Sequence, residues 1–433
     1  MGESEMTHKV LILGSLGEFV TLVKKAKEMG YDTVVCDGYE NGPARKYADA
    51  SYVIPVTDIQ AVADLCIREK VDGIITSFSD LLLECMVKIA DKAGLPCYLK
   101  PYQLPWYRDK SVCRETLKDL GLPGPGFAKL PVKLIKEEKF KEIEECISSL
   151  RYPLISKPMD RYGSRGIFII HNREELFQRA RASAEFTELS EILVEEYNDG
   201  FEFNMMTWVQ DGRIHIISIA DREKTEFIPG MLPESTRNVY PSCLIDQVEK
   251  EALNILQEYA ERTGQKEGAL SMQFFWQKDR GIQVCEIAAR FFGYEHELTD
   301  MVYGFNIEEL LLNSLYNKDR NREILKKHDI HKNKRHGAAL YFHGRLLTVA
   351  DQSAARSLGE EDSVVKPWIF YEDGDRVVEY GPNPYMALYY IQTGTREELD
   401  HVTEGFYRKM SIKDPEGREI VYKNILPDYG NKR

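Results

Sequence analysis

Short apolar runs alternate with amphipathic segments over the first hundred residues of the chain. The apolar runs predict buried strands, at 10–13, 33–36 and 73–76. The segments that follow them place apolar residues at helical spacing and predict helices, at 19–29, 59–70 and 81–93. Gly30 and Gly94 follow two of these helices, at the position where a left-handed residue commonly ends a helix. Regular alternation of strand and helix predicts a parallel, doubly wound sheet, which is an α/β unit.

Longer strands with fewer helices replace this pattern after residue 150. The apolar positions predict strands at 153–157, 167–170, 192–197, 214–220, 268–277 and 282–287. They predict helices at 173–186 and 247–263, and a charged surface helix with a loop at 317–335. Such an arrangement is typical of α+β folds. We predict three units, at 1–108, 109–210 and 211–433, and we expect residues 331–433 to complete the third.

Composition and charge narrow the classes of function. The chain has 433 residues and a net charge of −13, from 57 basic and 70 acidic residues. Nucleic-acid binding relies on clustered Lys and Arg that neutralise phosphates, so we expect no nucleic-acid partner. No run approaches the ~20 apolar residues that a membrane helix needs, so we expect no membrane partner.

Two further features indicate the compartment. The first nine residues are polar and lack the apolar core of a secretory signal. The eight cysteines are scattered, without a Cys-x-x-Cys pair, which is typical of reduced core residues rather than of a disulfide framework or a zinc site. We therefore predict a cytoplasmic protein.

A glycine-containing turn near the start of the chain resembles a dinucleotide-binding motif only in part. Gly14 and Gly17 follow a predicted strand and precede a helix, and Asp37 ends the next strand. The dinucleotide motif needs glycine at its third and sixth positions, where this chain has Leu16 and Phe19. The segment is either a plain tight turn or a local ligand site, and a dehydrogenase is disfavoured.

A second glycine-rich loop is a better candidate for binding phosphate. Lys157 ends a predicted strand, and the loop after it contains Gly163, Ser164 and Gly166 before the next strand begins. Glycines allow backbone N–H groups to turn towards a phosphate, and the lysine would meet it as a point charge. The alternative is an ordinary hairpin turn. Lys110, which begins a helix after a proline-rich link, is a candidate second phosphate lysine.

The predicted strand at 192–197 runs into an acidic connector. Glu195, Glu196 and Tyr197 form the end of the strand, and Glu202 follows in the connector. Backbone groups of such a connector can bind the edge of an adenine, while a nearby carboxylate binds ribose hydroxyls. The alternative is a solvent-exposed strand end.

A predicted hairpin at 268–287 carries a candidate metal site. If the turn is centred on Asp279 and Arg280, Gln273 lies directly opposite Glu286. Opposed side chains share a face at roughly 4.5–5.5 Å between Cβ atoms. A carboxylate and an amide oxygen at that separation can hold Mg²⁺ against nucleotide phosphates. The alternative is a hydrogen bond between the two side chains, and a register slip of one residue would abolish the site.

Several cationic residues are candidates for binding anionic groups. Arg290 comes four residues after Glu286 and suits a transferring phosphate or a substrate carboxylate, the alternative being a salt bridge to Glu286. Further candidate substrate residues, each equally open to an ordinary structural role, are Arg222, Arg237, His296 and Gly293.

Together these motifs resemble the ATP-grasp superfamily, especially its carboxylate–amine ligases and the branch similar to the carbamoyl phosphate synthetase large subunit. The resemblance covers residues 9–315 and is most specific at 153–166, 192–202 and 268–293. It implies an N-terminal doubly wound (pre-ATP-grasp) domain, a small lid domain with linker helix, and a C-terminal mixed-sheet domain. It also implies site roles, namely Lys110 and Lys157 at the phosphates, residues 163–166 in the lid, residues 195–197 at the adenine, Glu202 in the nucleotide site, Gln273 and Glu286 as metal ligands, and Arg290 as the catalytic arginine.

One position departs from the family pattern. The family commonly has Glu-x-Asn-x-Arg, in which the Asn helps to hold a second metal ion, but this chain has Ala288 between Glu286 and Arg290. The coordination of a second metal is therefore open.

The resemblance implies an ATP-dependent ligase that forms a C–N bond. ATP and one or two Mg²⁺ ions (or Mn²⁺) would activate a small carboxylate as an acyl phosphate, which an amine would then attack. An amino acid or a small peptide is the expected substrate, and a homodimer is common for such proteins. Two alternatives stay open: a bicarbonate-using enzyme similar to carbamoyl phosphate synthetase or a carboxylase, and a non-catalytic ATP-binding sensor or subunit, which Ala288 favours.

Overall fold

The computed structural model describes residues 7–160, 165–225, 233–378 and 385–429. Within these ranges the named strands form three sheets, which we call the N-terminal sheet, the lid sheet and the large sheet. None of the helices in the same ranges is long and apolar enough to cross a lipid bilayer.

The N-terminal sheet is parallel and has the strand order β3-β2-β1-β4. Its strands are β1 Lys9–Leu13, β2 Asp32–Asp37, β3 Ala50–Val53 and β4 Gly73–Ile75. The helices of this unit are α1 Val20–Glu28, α2 Ile59–Glu69 and α3 Asp80–Ala93, and α4 Leu104–Arg108 and α5 Lys110–Asp119 follow them. Ser79 caps the start of α3 by accepting a bond from the Leu82 N–H, and Gly94 ends it at a φ of 70°. The predicted doubly wound unit is present.

The lid sheet is antiparallel, with the order β5-β8-β6-β7. Its strands are β5 Phe127–Pro131, β6 Leu154–Lys157, β7 Phe168–Ile170 and β8 Glu191–Glu196. Three helices pack with it, α6 Val132–Lys136, α7 Phe140–Cys146 and α8 Arg173–Ala184. This unit has its own hydrophobic core, formed by residues such as Leu154, Ile170 and Leu176. A separate core allows the lid to be a distinct unit.

The large sheet has the order β13-β12-β9-β10-β11-β14-β16-β15, with every neighbouring pair antiparallel. Its strands are β9 Phe201–Gln210, β10 Arg213–Lys224, β11 Ser235–Tyr240, β12 Gly268–Gln277, β13 Gly281–Ala288, β14 His336–His343, β15 Val364–Ile369 and β16 Tyr385–Thr393. Its helices are α9 Ile245–Thr263, α10 His296–Tyr303, α11 Ile307–Tyr316, α12 Lys318–Lys327, α13 Ser353–Leu358 and α14 Arg396–Lys409. The unit boundary predicted after residue 210 falls inside this sheet, between β9 and β10.

The N-terminal unit and the large sheet share one hydrophobic core. Leu11 and Leu83 from the first unit belong to the same buried cluster as Trp208 and Phe291. The Tyr98 hydroxyl also donates to the Ala289 carbonyl at 3.0 Å. This packing fixes the start of α3 and the start of α5 relative to the end of β13.

The two faces of the large sheet carry different sets of charged residues. Successive residues of a strand point to opposite faces. Arg222 pairs across the ladder with Glu202, whereas its neighbour Glu223 pairs with Arg237. We call the face that carries Glu202 and Arg222 the front face, and the face that carries Glu223 and Arg237 the back face.

Candidate functional site

A cavity of about 330 Å³ lies between the N-terminal unit, the lid sheet and the front face of the large sheet. Each unit contributes polar side chains to its wall. The N-terminal unit and its linker helix provide Asp80 and Lys110, the lid and its connector provide Lys157 and Tyr197, and the large sheet provides Glu202, Arg222, Lys224, Gln273, Glu286 and Arg290. Apolar parts of the wall come from Ile155, Ile167 and Phe275. The cavity therefore combines cations, carboxylates and an apolar surface.

The predicted pairing of Gln273 with Glu286 is present in the ladder of β12 and β13. The predicted centre of the turn is wrong, because Gln277 pairs with Gly281 and the turn is one residue tighter than expected. An irregularity between Gln273 and Phe274 moves the register by one residue, so that Cys285 is left between the paired positions. The bulge at Cys285 thus restores the pairing that the tighter turn would have removed.

The side chains of this pair fit a magnesium ion that is also held by nucleotide. The Gln273 amide donates a short hydrogen bond to Glu202, which leaves its oxygen as an acceptor. The oxygens of Gln273 and Glu286 are hard ligands, and Mg²⁺ commonly takes one or two carboxylates with phosphate and water. No three His, Cys, Asp or Glu side chains converge on a metal position in the part of the chain that the structure describes. A magnesium ion at this pair would therefore depend on ligands that arrive with the nucleotide.

Ala288 lies two residues after Glu286 on β13 and is buried. Its carbonyl accepts a bond from the Ser271 hydroxyl at 3.3 Å, and its methyl group offers no ligand. A second metal ion would receive nothing from this side chain.

Glu202 is the centre of a group of polar side chains on the front face. Arg222 bonds its carboxylate at 2.6 Å and Lys224 at 2.8 Å, in addition to the Gln273 amide. Burial alone would raise the pKa of Glu202, but Arg222 and Lys224 lower it to about 2. Two cations and one carboxylate leave this part of the wall with one positive charge, which suits an anionic ligand.

Arg290 is held by a residue of the N-terminal unit. Its guanidinium bonds both oxygens of Asp80, at 3.1 and 2.9 Å, and Asp80 is the first residue of α3. Burial would raise the pKa of Asp80, but Arg290 beside it, with Arg108, lowers that pKa overall. Asp80, and not Glu286, is therefore the salt-bridge partner of Arg290, which points into the cavity with its orientation fixed.

The residues predicted to line the adenine position differ in orientation. Glu195 is buried and bonds Arg114 and Lys157, each at 2.5 Å, so its side chain faces the interior and not an adenine. The Glu196 side chain accepts a bond from the Arg151 N–H at 3.0 Å, which turns it away from the cavity. Only the third residue of the predicted set, Tyr197, lines the cavity.

The backbone at Tyr197 suits a hydrogen bond to a ligand. The Tyr197 N–H donates to the Pro153 carbonyl at 2.9 Å. Proline has no N–H, so Pro153 cannot return a bond to the Tyr197 carbonyl as an ordinary strand residue would. That carbonyl can accept a bond from the exocyclic amine of an adenine.

The phosphate loop is described only at its ends. Gly163 and Ser164 lie outside the described residues. Gly166 has a φ of +73°, and a Cβ there would lie 2.7 Å from a side-chain atom of Phe186. Its carbonyl accepts a bond from the Ser183 hydroxyl at 2.6 Å. Gly166 therefore packs against the end of α8, and the need for glycine at this position comes from its conformation and close packing.

The four candidate substrate residues separate into two groups. Arg222 lines the cavity, and Gly293 lies against Glu18 and Phe78 at the border with the N-terminal unit. The expectation that Arg237 and His296 bind substrate is wrong. Arg237 lies on the back face with Glu223 and Asp400, and His296 is buried with its Nδ1 2.6 Å from Glu308.

Sequence analysis missed several residues of the cavity wall, among them Asp80, Lys224, Glu234, Phe275 and Cys285. It also missed Arg114, which lies behind the wall and bonds Glu195. Two of them had a local signal. Lys224 is two residues after Arg222, and Phe275 is two residues after Gln273, so strand periodicity places each on the same face as a candidate. Asp80 and Arg114 had no such signal, since their partners are far away along the chain.

Comparison with known families is consistent with this geometry. Residues 150–297 match the family described as ATP-grasp domain. The chain carries an ATP-grasp domain. Residues 10–95 match the family described as PylC-like, N-terminal domain, which covers the doubly wound unit. The predicted resemblance and the predicted fold class are confirmed. The large sheet was predicted to be mixed, but all of its neighbouring described strands pair antiparallel.

Similar proteins extend the comparison. A formate-dependent phosphoribosylglycinamide formyltransferase from Corynebacterium efficiens is 29% identical over 208 residues, which are 46% of this chain and 49% of that protein. The chain spans about half the length of such curated relatives.

Two solved structures share the fold of this chain at low sequence identity. An L-amino acid ligase from Bacillus licheniformis aligns with a TM-score of 0.75 and 18% identity, covering 95% of this chain and all (100%) of that one. An N5-carboxyaminoimidazole synthase from Aspergillus clavatus aligns with a TM-score of 0.70 and 16% identity, covering 93% and 98%.

Proposed function

We propose that this protein is an ATP- and Mg²⁺-dependent ligase that joins a small carboxylate to an amine through an acyl phosphate. The observation that carries the proposal is the cavity itself, in which Lys110, Lys157 and Arg290 face the Gln273–Glu286 pair. Cations and a metal pair around one space suit the transfer of a phosphoryl group between two anions. The ATP-grasp domain match over residues 150–297 supports the same reading.

The nucleotide would lie with its base towards the lid and its phosphates towards the metal pair. Ile155, Ile167 and Phe275 offer apolar contact to an adenine, and the Tyr197 carbonyl offers an acceptor for its amine. Lys157 and Lys110 would contact the phosphates. Gln273 and Glu286 would hold magnesium, which withdraws charge from the phosphate oxygens when bound.

The reaction would proceed in two steps. An oxygen of the substrate carboxylate attacks the γ-phosphorus in line, the bond to the β-phosphate oxygen breaks, and ADP leaves. Arg290, fixed by Asp80, stabilises the charge on the transferring group. The nitrogen of the amine then attacks the acyl carbon, phosphate leaves with the C–O bonding electrons, and the nitrogen loses a proton. The products are an amide, ADP and phosphate.

The names of similar proteins define which substrates to test. Formate with phosphoribosylglycinamide comes from the curated relatives, and pairs of L-amino acids come from the L-amino acid ligase. Bicarbonate is the rival carboxylate, and 5-aminoimidazole ribonucleotide is present in one of the similar structures. We favour an amino acid or a small peptide, and the same assay decides among these classes.

A non-catalytic ATP sensor is a second candidate, because Ala288 offers no ligand for a second metal ion. A sensor binds Mg-ATP without turnover. A ligase releases phosphate only when both substrates are present.

The test is phosphate release from Mg-ATP across a matrix of carboxylates and amines. The active-site control is Glu286→Gln, and the matched control is Asp279→Asn, which removes one carboxylate from the turn of the same hairpin. Release that requires two substrates, is lost in Glu286→Gln and persists in Asp279→Asn supports the ligase. Tight ATP binding without turnover over the whole matrix supports the sensor, and absence of ATP binding contradicts both.

The cytoplasmic location and the homodimer stay predictions. Cysteines such as Cys36, Cys66 and Cys85 carry free thiols, which suits a reducing compartment. Cell fractionation and light scattering of the purified protein test the two predictions.

A further inference from the structure

A buried ion triad lies directly behind the nucleotide cavity. Glu195 on β8 of the lid sheet accepts bonds from two cations at once. Lys157 on β6 reaches it at 2.5 Å, and Arg114 on α5 reaches it through Nε at 2.5 Å and through Nη2 at 3.4 Å. Arg114 is 3% exposed and Glu195 is 3% exposed, so water contributes little to balancing these charges.

Only one member of the triad lines the nucleotide cavity. That member is Lys157, whereas Arg114 and Glu195 stand behind it. Arg114 instead lines a much smaller neighbouring cavity of about 20 Å³ together with Lys110 and Glu286. Because it is absent from the wall of the larger cavity, its effect there would pass through another residue.

Arg114 has a third contact, with the bulge in the hairpin of β12 and β13, which we call the metal hairpin because it carries Gln273 and Glu286. Its Nη2 donates to the Cys285 carbonyl at 2.6 Å. Cys285 is the residue left between paired positions in the β12–β13 ladder, and Glu286 follows it. A bulge residue loses its ladder partner, so Arg114 replaces a bond that the sheet does not provide. One guanidinium thus connects the linker helix, the lid sheet and the strand of the candidate metal ligand.

The charges of the triad do not cancel. Two cations and one carboxylate leave one positive charge, and Lys157 is where that charge faces the cavity. Without Arg114, the buried Glu195 carboxylate would have Lys157 as its one cationic partner in the triad, and the pair would be neutral. A neutral pair attracts a phosphate only weakly. An ammonium group attracts it much more strongly when a second cation already balances the charge of its carboxylate partner.

We propose that Arg114 is a positioning residue that keeps Lys157 available to the nucleotide phosphates by neutralising Glu195. This inference rests on the proposed nucleotide site, but it concerns a residue outside the cavity wall. It assigns to Arg114 an effect on nucleotide affinity that its position alone does not suggest.

The experiment measures the affinity of the purified full-length chain for Mg-ADP by calorimetry, in four proteins: wild type, Arg114→Met, Glu195→Gln and the double variant. Arg114→Met raises the Kd by about tenfold or more, the size of one lost charge-assisted hydrogen bond. The double variant removes the buried charges of both Arg114 and Glu195 and leaves Lys157 with its positive charge. Its Kd returns to within about threefold of wild type, because the two sites are coupled. Glu195→Gln alone binds Mg-ADP at least as tightly as wild type.

Recovery of Mg-ADP affinity in the double variant distinguishes a positioning role of Arg114 from a merely structural one. A structural role for Arg114 would leave the double variant at least as impaired as Arg114→Met, since the Cys285 carbonyl is without its partner in both. Failure of the double variant to recover, or an unchanged Kd in Arg114→Met, overturns the inference. Circular dichroism and thermal unfolding establish that each variant is folded before its affinity is compared.

Glu195→Gln keeps the inference testable if Arg114→Met does not fold. It retains Arg114 and its bond to the Cys285 carbonyl, and weaker Mg-ADP binding in this variant contradicts the charge argument. Wild-type protein that binds no Mg-ADP overturns the proposed function together with the inference. Wild-type binding that Arg114→Met leaves unchanged overturns the inference alone.

Discussion

The two faces of the large sheet carry similar charged residues on the same strands, yet the arginines of the two faces differ in environment. On the front, Arg222 pairs with Glu202, and on the back, Arg237 pairs with Glu223. Arg237 is 1% exposed, whereas the side chain of Arg222 is 24% exposed at the cavity wall. The ion pairs themselves are alike, so the pair does not decide which face binds a ligand.

The C-terminal part of the chain packs around Arg237 on the back face. Arg396 and Asp400 of α14 join the network, with Arg396 bonding Asp221 at 2.9 Å and Asp400 bonding Arg237 at 2.8 Å. The Tyr429 hydroxyl donates to Glu223 at 2.8 Å. These contacts use the hydrogen-bonding groups of the back-face arginine and carboxylate, so the network is structural.

The front face is covered partly by the N-terminal unit, in which Asp80 holds Arg290. The lid lies opposite, and the cavity lies between the two units and the sheet. Residue type and strand position identify charged clusters, but the packing of neighbouring units determines which cluster meets solvent and ligand.

The back face should respond to mutation through stability. Arg237→Met leaves Glu223 and Asp400 without one cation in a buried site, and we expect about 3–5 kcal/mol of destabilisation, the cost of breaking a buried ion pair. The front-face counterpart, Arg222→Met, should cost less, because the Arg222 side chain is 24% exposed and water reaches the charges that the substitution leaves. Urea unfolding measures both. Equal destabilisation by the two substitutions would contradict the distinction between the faces.

The front face should respond through turnover. Glu286→Gln removes the carboxylate of the metal pair, and we expect phosphate release to fall by about 100-fold, the upper range for residues that support a metal. The free energy of unfolding should change by no more than about 0.5 kcal/mol, because the side chain is part-exposed at the cavity wall. A coupled phosphate assay and urea unfolding provide the measurements. Lost stability with normal turnover per folded molecule would place Glu286 in a structural role.

Acid should weaken the fold partly through Glu202. Its pKa is lowered from 4.5 to about 2, so its contribution to stability is present above pH 4.5 and is lost as the pH falls towards 2. Between pH 5 and pH 3 this loss is about 2 kcal/mol. Glu202→Gln should be less stable at pH 5 and should lose about 2 kcal/mol less than wild type over this interval. Urea unfolding at the two pH values tests this, and parallel losses would show that Glu202 does not titrate in that range.

The smallest expected effect concerns the closure of the back face. Tyr429→Phe removes one hydroxyl from Glu223 and keeps the ring, which stacks on Phe201 at 5.2 Å between centroids. We expect about 1 kcal/mol of destabilisation, the typical net value of one hydrogen bond. Mg-ADP affinity should stay at the wild-type value, and calorimetry of the folded variant checks this. Weaker Mg-ADP binding at unchanged stability would extend the site to the back face.

In the metal hairpin, the local sequence pattern predicted the strands and the paired residues but not the bulge. Its two strands were predictable from apolar alternation, and the pairing of Gln273 with Glu286 followed from their length and the intervening turn. The position of the turn was wrong by one residue, and the bulge at Cys285 compensated for it. A bulge depends on partners outside the hairpin, here the Arg114 guanidinium, so the hairpin sequence alone does not indicate it.

The connector at 195–197 illustrates the opposite case. Sequence analysis treated three consecutive residues as one adenine-binding group, but the carboxylate of Glu195 bonds Arg114 and Lys157. Strand alternation separates Glu196 from its two neighbours, but it places Glu195 and Tyr197 on the same face. The partners of Glu195 were not predictable, because they depend on where α5 packs against the lid.

The sequence by itself determined the elements and the residues with local partners. Apolar periodicity and capping residues specified the doubly wound unit, the long strands and most helix ends, because these depend on neighbours within a few positions. Tertiary structure alone decided the partners of the buried charges. Arg290 and Asp80 are 210 residues apart, and Arg114 and Glu195 are 81 apart. Charges at such separations meet only when whole units pack together, and that packing also left Arg222 exposed at the candidate site and buried Arg237.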